Sequence, residues 1–147
     1  MSQKPEVRWN PQALPIPGSV LIPELSLRVT CSTSSVEGDN ISEDGSSITA
    51  AESRMTEIMD RDQLRLPLYL RPRRNGDRFR PLGMTGSKSI SDFLTDARLP
   101  ASDRAHIVLL CDQEGPVWIV GHRMADRVKV TSETRTTVTF KASREHS

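Results

Sequence analysis

Apolar and polar residues alternate over several short stretches of the chain, a pattern that is typical of half-buried β-strands. In one such stretch, Leu25, Leu27, Val29 and Cys31 share a face, and residues 19–23 precede it as a second strand. Five of the ten prolines lie within the first 23 residues, where they exclude regular helix. Residues 1–31 are therefore predicted to be an extended, strand-forming lead-in segment that contains a hairpin or a bent strand.

The next segment lacks the apolar residues that a core needs. Residues 32–47 contain six serines and four acidic residues but only two apolar side chains, Val36 and Ile41. Such a segment cannot bury enough surface to offset the entropy of ordering, so a mobile loop is predicted. Residues 48–65 form an uncertain connecting segment, in which both helix and strand patterns occur; we predict a strand that ends near Asp60.

A strand and a helix are predicted on either side of a turn-rich segment. Leucines alternate with other residues over 66–70, and Pro67 indicates that this strand lies at a sheet edge or begins there. Further on, Ile90, Phe93 and Leu94 have helical spacing. They predict an amphipathic helix of about ten residues that Pro100 stops.

The last third of the chain is rich in predicted strands. Residues 106–112 and 117–120 form a predicted hairpin, and strands at 127–131 and 135–140 are expected to pair with it. Residues 66–141 are thus predicted to form one domain, followed by a frayed polar tail at 142–147. The fold class is α+β, a mostly antiparallel sheet of short strands with one clear amphipathic helix.

Basic and acidic residues are unevenly distributed along the chain. Residues 1–65 carry 6 basic and 10 acidic side chains, whereas residues 66–147 carry 14 and 9. Five arginines lie close together around a loop that turns at Asn75-Gly76, opposed only by Asp77: Arg71, Arg73, Arg74, Arg78 and Arg80. Arginine suits bidentate contact with phosphate. The cluster indicates either a nucleic-acid surface or a solvated loop.

The turn that follows these arginines places small residues and a cation before the predicted helix. Residues 83–88, Gly-Met-Thr-Gly-Ser-Lys, lack the glycine spacing of a nucleotide-binding loop. Two interpretations remain open. Unpaired N–H groups at a helix start favour an anion, with Lys88 beside it, or the segment is a turn that ends in an N-cap at Ser87.

No catalytic or metal-binding constellation is evident. His106, His122 and His146 lack metal-ligand spacing. Cys31 and Cys111 lie 80 positions apart and are predicted to be reduced structural thiols. The longest apolar run has five residues, far short of the roughly 20 that a membrane span needs, and the N-terminus lacks a signal-peptide pattern. We therefore expect a cytoplasmic protein.

Residues 74–88, Arg-Asn-Gly-Asp-Arg-Phe-Arg-Pro-Leu-Gly-Met-Thr-Gly-Ser-Lys, resemble the C-terminal domain of bacterial tRNA(Ile)-lysidine synthetase. The resemblance continues through residues 91–96, 99–100, 117–123 and 128–131. Residues 15–18 and the strand that ends at Arg71 resemble the segment preceding this domain in the family. The likeness covers about residues 14–141, and residues 66–141 carry nearly all of it.

This resemblance implies a tRNA-handling module. Enzymes of the family use ATP to attach lysine to an anticodon cytidine of isoleucine tRNA, through an N-terminal domain with a Ser-Gly-Gly-x-Asp-Ser loop. No Gly-Gly pair occurs in this chain. The resemblance thus implies the tRNA-binding end without the active site, as a fragment or a separately encoded module, and a fold shared with a domain of the phenylalanyl-tRNA synthetase β chain. No cofactor is expected in this chain, and ATP is implied for the missing catalytic domain.

The leading hypothesis is a non-catalytic module that binds tRNA, isoleucine tRNA by resemblance. Double-stranded RNA is recognised mainly through phosphates and 2′-hydroxyls, which fits a chain with 4% aromatic residues. The alternative is a protein-interaction domain that docks on a separate catalytic subunit through an edge strand near Leu68 and the hairpin around Trp118. The candidate RNA-binding residues are Arg71, Arg73, Arg74, Arg78, Arg80, Lys88, Arg123, Arg127 and Lys129.

Overall fold

A computed structural model gives the fold and describes residues 9–35 and 55–144 of the 147-residue chain. The strands in the first half are β1 (Gln12–Leu14), β2 (Gly18–Ile22), β3 (Leu27–Ser35), β4 (Thr56–Asp60), β5 (Leu68–Pro72), β6 (Arg78–Phe79) and β7 (Lys88–Ser89). The helices α1 (Ile90–Asp96) and α2 (Ala101–Arg104) follow. The remaining strands are β8 (Val108–Asp112), β9 (Gly115–Ile119), β10 (Arg123–Met124) and β11 (Thr136–Arg144), and short 3-10 turns lie at Pro23–Leu25, Arg61–Gln63 and Asp126–Val128.

These strands form two larger antiparallel sheets and one ribbon. The five-stranded sheet has the order β1-β5-β8-β9-β10, and the four-stranded sheet has the order β2-β3-β11-β4. Strands β6 and β7 pair as a separate ribbon. The lead-in segment is woven into this arrangement, since β1 pairs with β5 while β2 and β3 join β11 in the other sheet.

The core lies between the two larger sheets. Trp118 of β9 and Phe140 of β11 are both fully buried, and their rings meet at 6.4 Å between centroids. Along β3 and β11, alternate side chains such as Val29 and Val138 point into this core, while the residues between them, such as Thr30 and Thr139, are less buried. Aliphatic residues of β5, β8 and β9 fill the rest, so burial of apolar surface joins the sheets.

Helix α1 covers the ribbon. Ile90 and Leu94 are buried, and Phe93 meets Phe79 of β6 edge-to-face at 5.5 Å between ring centroids. Ser89 caps the helix, because its Oγ accepts the N–H of Asp92 at 3.0 Å. The predicted amphipathic helix is therefore present, with Ser89 in place of Ser87 as its N-cap. It has seven residues instead of about ten and ends at Asp96, before Pro100, because Arg98 adopts a left-handed conformation (φ 58°).

The α+β fold class and several strand predictions are confirmed. The hairpins of β2 with β3 and of β8 with β9 are present, and β4 ends at Asp60. The mobile-loop prediction was wrong for its first four residues, since Ser32 to Ser35 continue β3 and pair with β11. The remainder of the predicted loop, residues 36–47, lies outside the described residues.

Three predictions about strands in the last third were wrong. Residues 127–131 form no strand, because Asp126–Val128 is a 3-10 turn followed by irregular chain. Strand β11 pairs with β3 and β4 rather than with the β8–β9 hairpin. It also continues through Arg144, where it pairs with Leu27, instead of fraying at residue 142.

The surface suggested for protein docking is also not available. Strand β5 lies between β1 and β8, so Pro67 marks the start of an interior strand and not a sheet edge. Trp118 is fully buried in the core. Neither the strand near Leu68 nor the hairpin around Trp118 therefore presents an apolar face for a partner.

Candidate nucleic-acid interface

The first part of the site is the arginine loop, residues 73–77, which connects β5 to β6. It begins beside a buried ion pair: Arg71 Nη1 and Nη2 donate to Asp77 Oδ2 and Oδ1 at 2.9 and 2.8 Å. Only 6% of the Arg71 side chain and 10% of the Asp77 side chain is exposed. Arg71, one of the candidate RNA-binding residues, is thus paired with Asp77 and buried away from solvent.

The Asp77 carboxylate also fixes the backbone of this loop. Its Oδ2 accepts the N–H of Arg74 at 2.6 Å, and the Asp77 N–H donates to the Arg74 carbonyl at 3.2 Å. Burial raises the pKa of Asp77, but the hydrogen bonds from Arg71 and the Arg74 N–H outweigh burial and lower it overall. The same contact raises the pKa of Arg71. Both groups are therefore charged at neutral pH.

Arg73 and Arg74 stand on the outside of the arginine loop. Both are exposed. Among residues 9–35 and 55–144, no group forms a hydrogen bond or an ion pair with either guanidinium. Their charges are available to an external anion, on a backbone that is fixed from inside.

Arg78 continues this surface on β6. Its Nε and Nη2 donate to Ser87 Oγ at 3.3 and 3.1 Å, and the side chain remains exposed. Lys88 is placed differently, because its ammonium forms an ion pair with Asp96 at the other end of α1. Of the two interpretations of residues 83–88, the structure favours a turn with a capped helix, since the Asp92 N–H is already bonded to Ser89.

Arg80 and Lys129 converge on one carboxylate. Arg80 Nη2 lies 2.8 Å from Asp126 Oδ2, and Lys129 Nζ lies 3.3 Å from Asp126 Oδ1, which also accepts the Gly83 N–H at 3.0 Å. The Gly83 N–H and the two cations lower the pKa of Asp126. The two cations remain 46% and 48% exposed and together carry one positive charge more than Asp126 balances.

Arg123 lies on β10 beside α1. Its guanidinium carbon is 5.8 Å from the centroid of the Phe93 ring, and Nη1 donates to the Leu82 carbonyl at 3.3 Å. Burial raises the pKa of Glu57, and the charge of Arg123 offsets part of that rise. Arg123 is exposed, so it remains a candidate for anion contact.

Arg127 belongs to a different kind of site, the Asp112 cluster, formed by Asp112, Glu114 and Arg127. Arg127 Nη1 and Nη2 donate to Asp112 Oδ2 and Oδ1 at 2.9 and 2.6 Å, and Nη1 lies 3.4 Å from Glu114 Oε2. The Asp112 side chain is fully buried. Burial raises its pKa, but hydrogen bonds from Arg127 and from the N–H groups of Arg65 and Glu114 lower it overall. Two carboxylates thus neutralise the Arg127 charge.

The structure therefore sorts the nine candidates by their partners. Within residues 9–35 and 55–144, Arg73, Arg74, Arg78 and Arg123 are exposed and form no ion pair with a carboxylate. Arg80 and Lys129 share one carboxylate, whereas Arg71 and Lys88 each pair with one and Arg127 with two. Sequence reasoning missed the roles of Asp112 and Asp126. Only Asp77 had a local signal, since it is the one acidic residue within the arginine loop.

Other chemistry is sparse in the described part of the chain. No group of three or more histidines, cysteines or acidic residues there is placed to hold a metal ion. Both cysteines are buried and unpaired, and burial raises the pKa of Cys111 to about 11. Within residues 9–35 and 55–144, no helix has the length and apolar character to cross a membrane.

The fold and this surface define a small α+β domain of two antiparallel sheets with a basic, arginine-rich side. Residues 68–139 match the model of the family described as the TilS substrate C-terminal domain. Over these residues the chain is similar to that family. The resemblance noted from residues 74–88 is thereby confirmed.

Individual proteins show the same relationship. The tRNA(Ile)-lysidine synthase of Dehalococcoides mccartyi is 36% identical over 85 residues, which cover 58% of this chain and 18% of that protein. The chain thus spans about a fifth of the length of the relatives it matches. A solved TilS C-terminal domain superposes with a TM-score of 0.71 and 18% identity, covering 94% of this chain and 100% of that one.

A second solved structure confirms the expected likeness to a synthetase domain. The N-terminal fragment of the phenylalanyl-tRNA synthetase β-subunit from Pyrococcus horikoshii superposes with a TM-score of 0.50 and 18% identity. The match covers 61% of this chain and 28% of that one. At this identity the superposition establishes a shared fold.

Proposed function

We propose that this chain is a tRNA-binding module that contacts the RNA backbone through its arginine loop. The observation that carries the proposal is the pair Arg73 and Arg74, two exposed guanidinium groups on a loop fixed by a buried ion pair, which form no ion pair with any carboxylate in the described part of the chain. Free guanidinium groups offer the bidentate donors that phosphate accepts. A fixed backbone lowers the entropy that is lost on binding.

Arg78 and Arg123 extend the proposed surface, and Arg80 with Lys129 adds a weaker part, because Asp126 already balances one of their two charges. Phosphate and 2′-hydroxyl contacts recognise the shape of an RNA duplex and carry little sequence information. The arginine loop should therefore contribute equally to binding of different tRNAs. A preference for isoleucine tRNA, the substrate in the names of the relatives, would have to come from other contacts.

The reaction named for the relatives, tRNA(Ile)-lysidine synthesis, would take place outside the residues of this chain. The aligned residues correspond to 18% of the Dehalococcoides protein, so we propose that a separate catalytic domain or subunit, using ATP, performs the reaction in the cytoplasm. This chain would hold the tRNA for it. Lysine-dependent release of pyrophosphate by the 147-residue chain alone, with ATP and tRNA, would contradict this division.

Binding of the full chain to isoleucine tRNA and to an unrelated tRNA, measured by fluorescence anisotropy at several salt concentrations, tests the proposal. The double variant Arg73→Ala/Arg74→Ala should bind both tRNAs several-fold more weakly and lower the slope of log Kd against log salt by about 2, one unit for each lost phosphate contact. Stability in urea should change by less than about 0.5 kcal/mol because exposed arginines contribute little to folding.

The matched control removes two charges from the four-stranded sheet side. Arg135, directly before β11, and Lys141, within it, are both exposed. Arg135→Ala/Lys141→Ala lowers the net charge by the same amount and should leave most of the salt slope in place. Equal losses in both double variants would mean that net charge, and not the arginine loop, governs binding.

A further inference from the structure

Asp77 accepts more hydrogen bonds than its ion pair with Arg71 of β5 requires. Asp77 Oδ2 accepts from Arg71 Nη1 at 2.9 Å and from the Arg74 N–H at 2.6 Å. The Asp77 carbonyl accepts the N–H of Ile90, the first residue of α1, at 2.9 Å. Asp77 therefore connects an interior strand, the tip of the arginine loop and the start of a helix.

The loop itself has little else to hold its shape. Its tip contains Asn75-Gly76, with Gly76 at φ 89°, and the residues from Arg73 to Gly76 are exposed. Ordering an unsupported backbone costs conformational entropy for every residue that is fixed. Without the Asp77 contacts, the loop would lose this entropy on binding its ligand, which would weaken the affinity.

The ion pair between Arg71 and Asp77 also determines which arginines of this region remain unpaired in the described part of the chain. Arg71 neutralises Asp77 in the interior, where a single carboxylate takes both terminal nitrogens of its guanidinium. Without Arg71, the Asp77 carboxylate would be free to attract Arg73 or Arg74, as it already attracts Arg74 at longer range. The buried pair thus keeps the outer guanidinium groups uncommitted while it fixes the backbone that carries them.

We propose that Arg71 and Asp77 are positioning residues for RNA binding, which act by holding the Arg74 N–H and so presenting Arg73 and Arg74 to phosphate. The proposal rests on the proposed function of the arginine loop. It gives Arg71 a role in binding although its side chain is buried, and it makes the Asp77 oxygen that holds Arg74 the critical atom.

Two double variants separate this role from simple stabilisation. Arg71→Met/Asp77→Asn and Arg71→Met/Asp77→Leu both replace the buried ion pair with uncharged side chains, a change that proteins often tolerate. They differ in one feature, because asparagine retains an oxygen that can accept the Arg74 N–H and leucine does not. Both leave the net charge of the protein unchanged.

The measurements are tRNA affinity, its salt slope, hydrogen exchange of the Arg74 amide and stability in urea. The asparagine variant should bind tRNA within about twofold of the parent. The leucine variant should lose at least fivefold in affinity, approach the salt slope of Arg73→Ala/Arg74→Ala, and exchange the Arg74 amide faster. If both variants bind tRNA equally well while the Arg73→Ala/Arg74→Ala variant binds weakly, the positioning role is overturned and the proposed function stands.

If Arg73→Ala/Arg74→Ala binds like the parent, the proposed arginine surface is overturned together with this role. Where the double variants do not fold, Arg71→Lys supplies the test, since lysine keeps the charge beside Asp77 but cannot donate two parallel hydrogen bonds. The expected result is faster exchange of the Arg74 amide with at least threefold weaker tRNA binding. Faster exchange with unchanged tRNA affinity would overturn the proposal.

Discussion

The arginine loop and the Asp112 cluster contain the same residue type in opposite situations. In the Asp112 cluster, a fully buried carboxylate takes both terminal nitrogens of Arg127, and Glu114 lies beside them. In the arginine loop, Asp77 takes Arg71 in the same two-point manner, and no carboxylate within residues 9–35 and 55–144 forms an ion pair with Arg73 or Arg74. The number of carboxylates within reach of an arginine therefore decides whether that arginine holds the fold or remains available to a ligand.

The largest expected effect comes from breaking the Asp112 cluster. Asp112→Ala leaves Arg127 without its main partner and removes the acceptor for the N–H groups of Arg65, Glu114 and Gly115. We expect a loss of about 3–5 kcal/mol in the free energy of unfolding, measured in urea. The control Glu133→Ala, at an exposed position, should cost less than about 0.5 kcal/mol. A loss below 1 kcal/mol for Asp112→Ala would show that the cluster is not structural.

Acid should weaken both ion pairs. The pKa values of Asp77 and Asp112 are lower in the folded chain than the value of about 3.9 for unfolded aspartate. The stability that each carboxylate contributes is therefore fully present above that value and is lost as the pH falls through the lower, folded pKa. Urea unfolding at successive pH values from 7 down to about 2 should show this loss, and Asp112→Ala should lose less on acidification than the parent. Equal losses would exclude Asp112 as a source of the acid sensitivity.

Local patterns explain which parts of this fold the sequence predicts. The alternation around Val29, the helical spacing of Ile90 and Leu94 and the short connection between β8 and β9 are each contained within a few residues, and all three elements are present. The pairing of β11 with β3 joins residues about a hundred positions apart. It depends on which apolar faces fit together in the core, for which the sequence holds no local signal.

The candidate site, like the fold, is predicted from the sequence only where the signal is local. The density of arginines around residue 75 is visible in the sequence, but their individual roles depend on contacts across the fold. Arg127 meets Asp112 from 15 positions away, and Arg80 meets Asp126 from 46. Arg71 was a sequence candidate because it adjoins the loop, yet its place on an interior strand directs it to Asp77. Composition thus locates the surface, and tertiary contacts select its members.

Arg78 lies between the two situations, because it is exposed but bonded to the Ser87 hydroxyl. Arg78→Ala should weaken tRNA binding about twofold to fivefold and lower the salt slope by about 1, with a loss of less than about 1 kcal/mol in stability. Ser87→Ala is the matched control, since it removes the hydroxyl and keeps the charge. It should retain the parent salt slope. Weaker binding in both variants, with equal slopes, would assign Arg78 a structural role in the turn.

The smallest effect is expected at Arg80, which is partly exposed like the arginines of the loop but paired with a carboxylate like Arg127. Arg80 shares Asp126 with Lys129, so removing it leaves that carboxylate still paired and one charge fewer on the surface. Arg80→Ala should change stability by less than about 1 kcal/mol, because a half-exposed ion pair contributes little. Its tRNA affinity should fall less than that of Arg73→Ala, since part of the Arg80 charge is already balanced by Asp126. Anisotropy titrations of both single variants at one salt concentration decide this point. If Arg80→Ala costs as much affinity as Arg73→Ala, then a carboxylate partner does not withhold an arginine from RNA, and the distinction between the two regions fails.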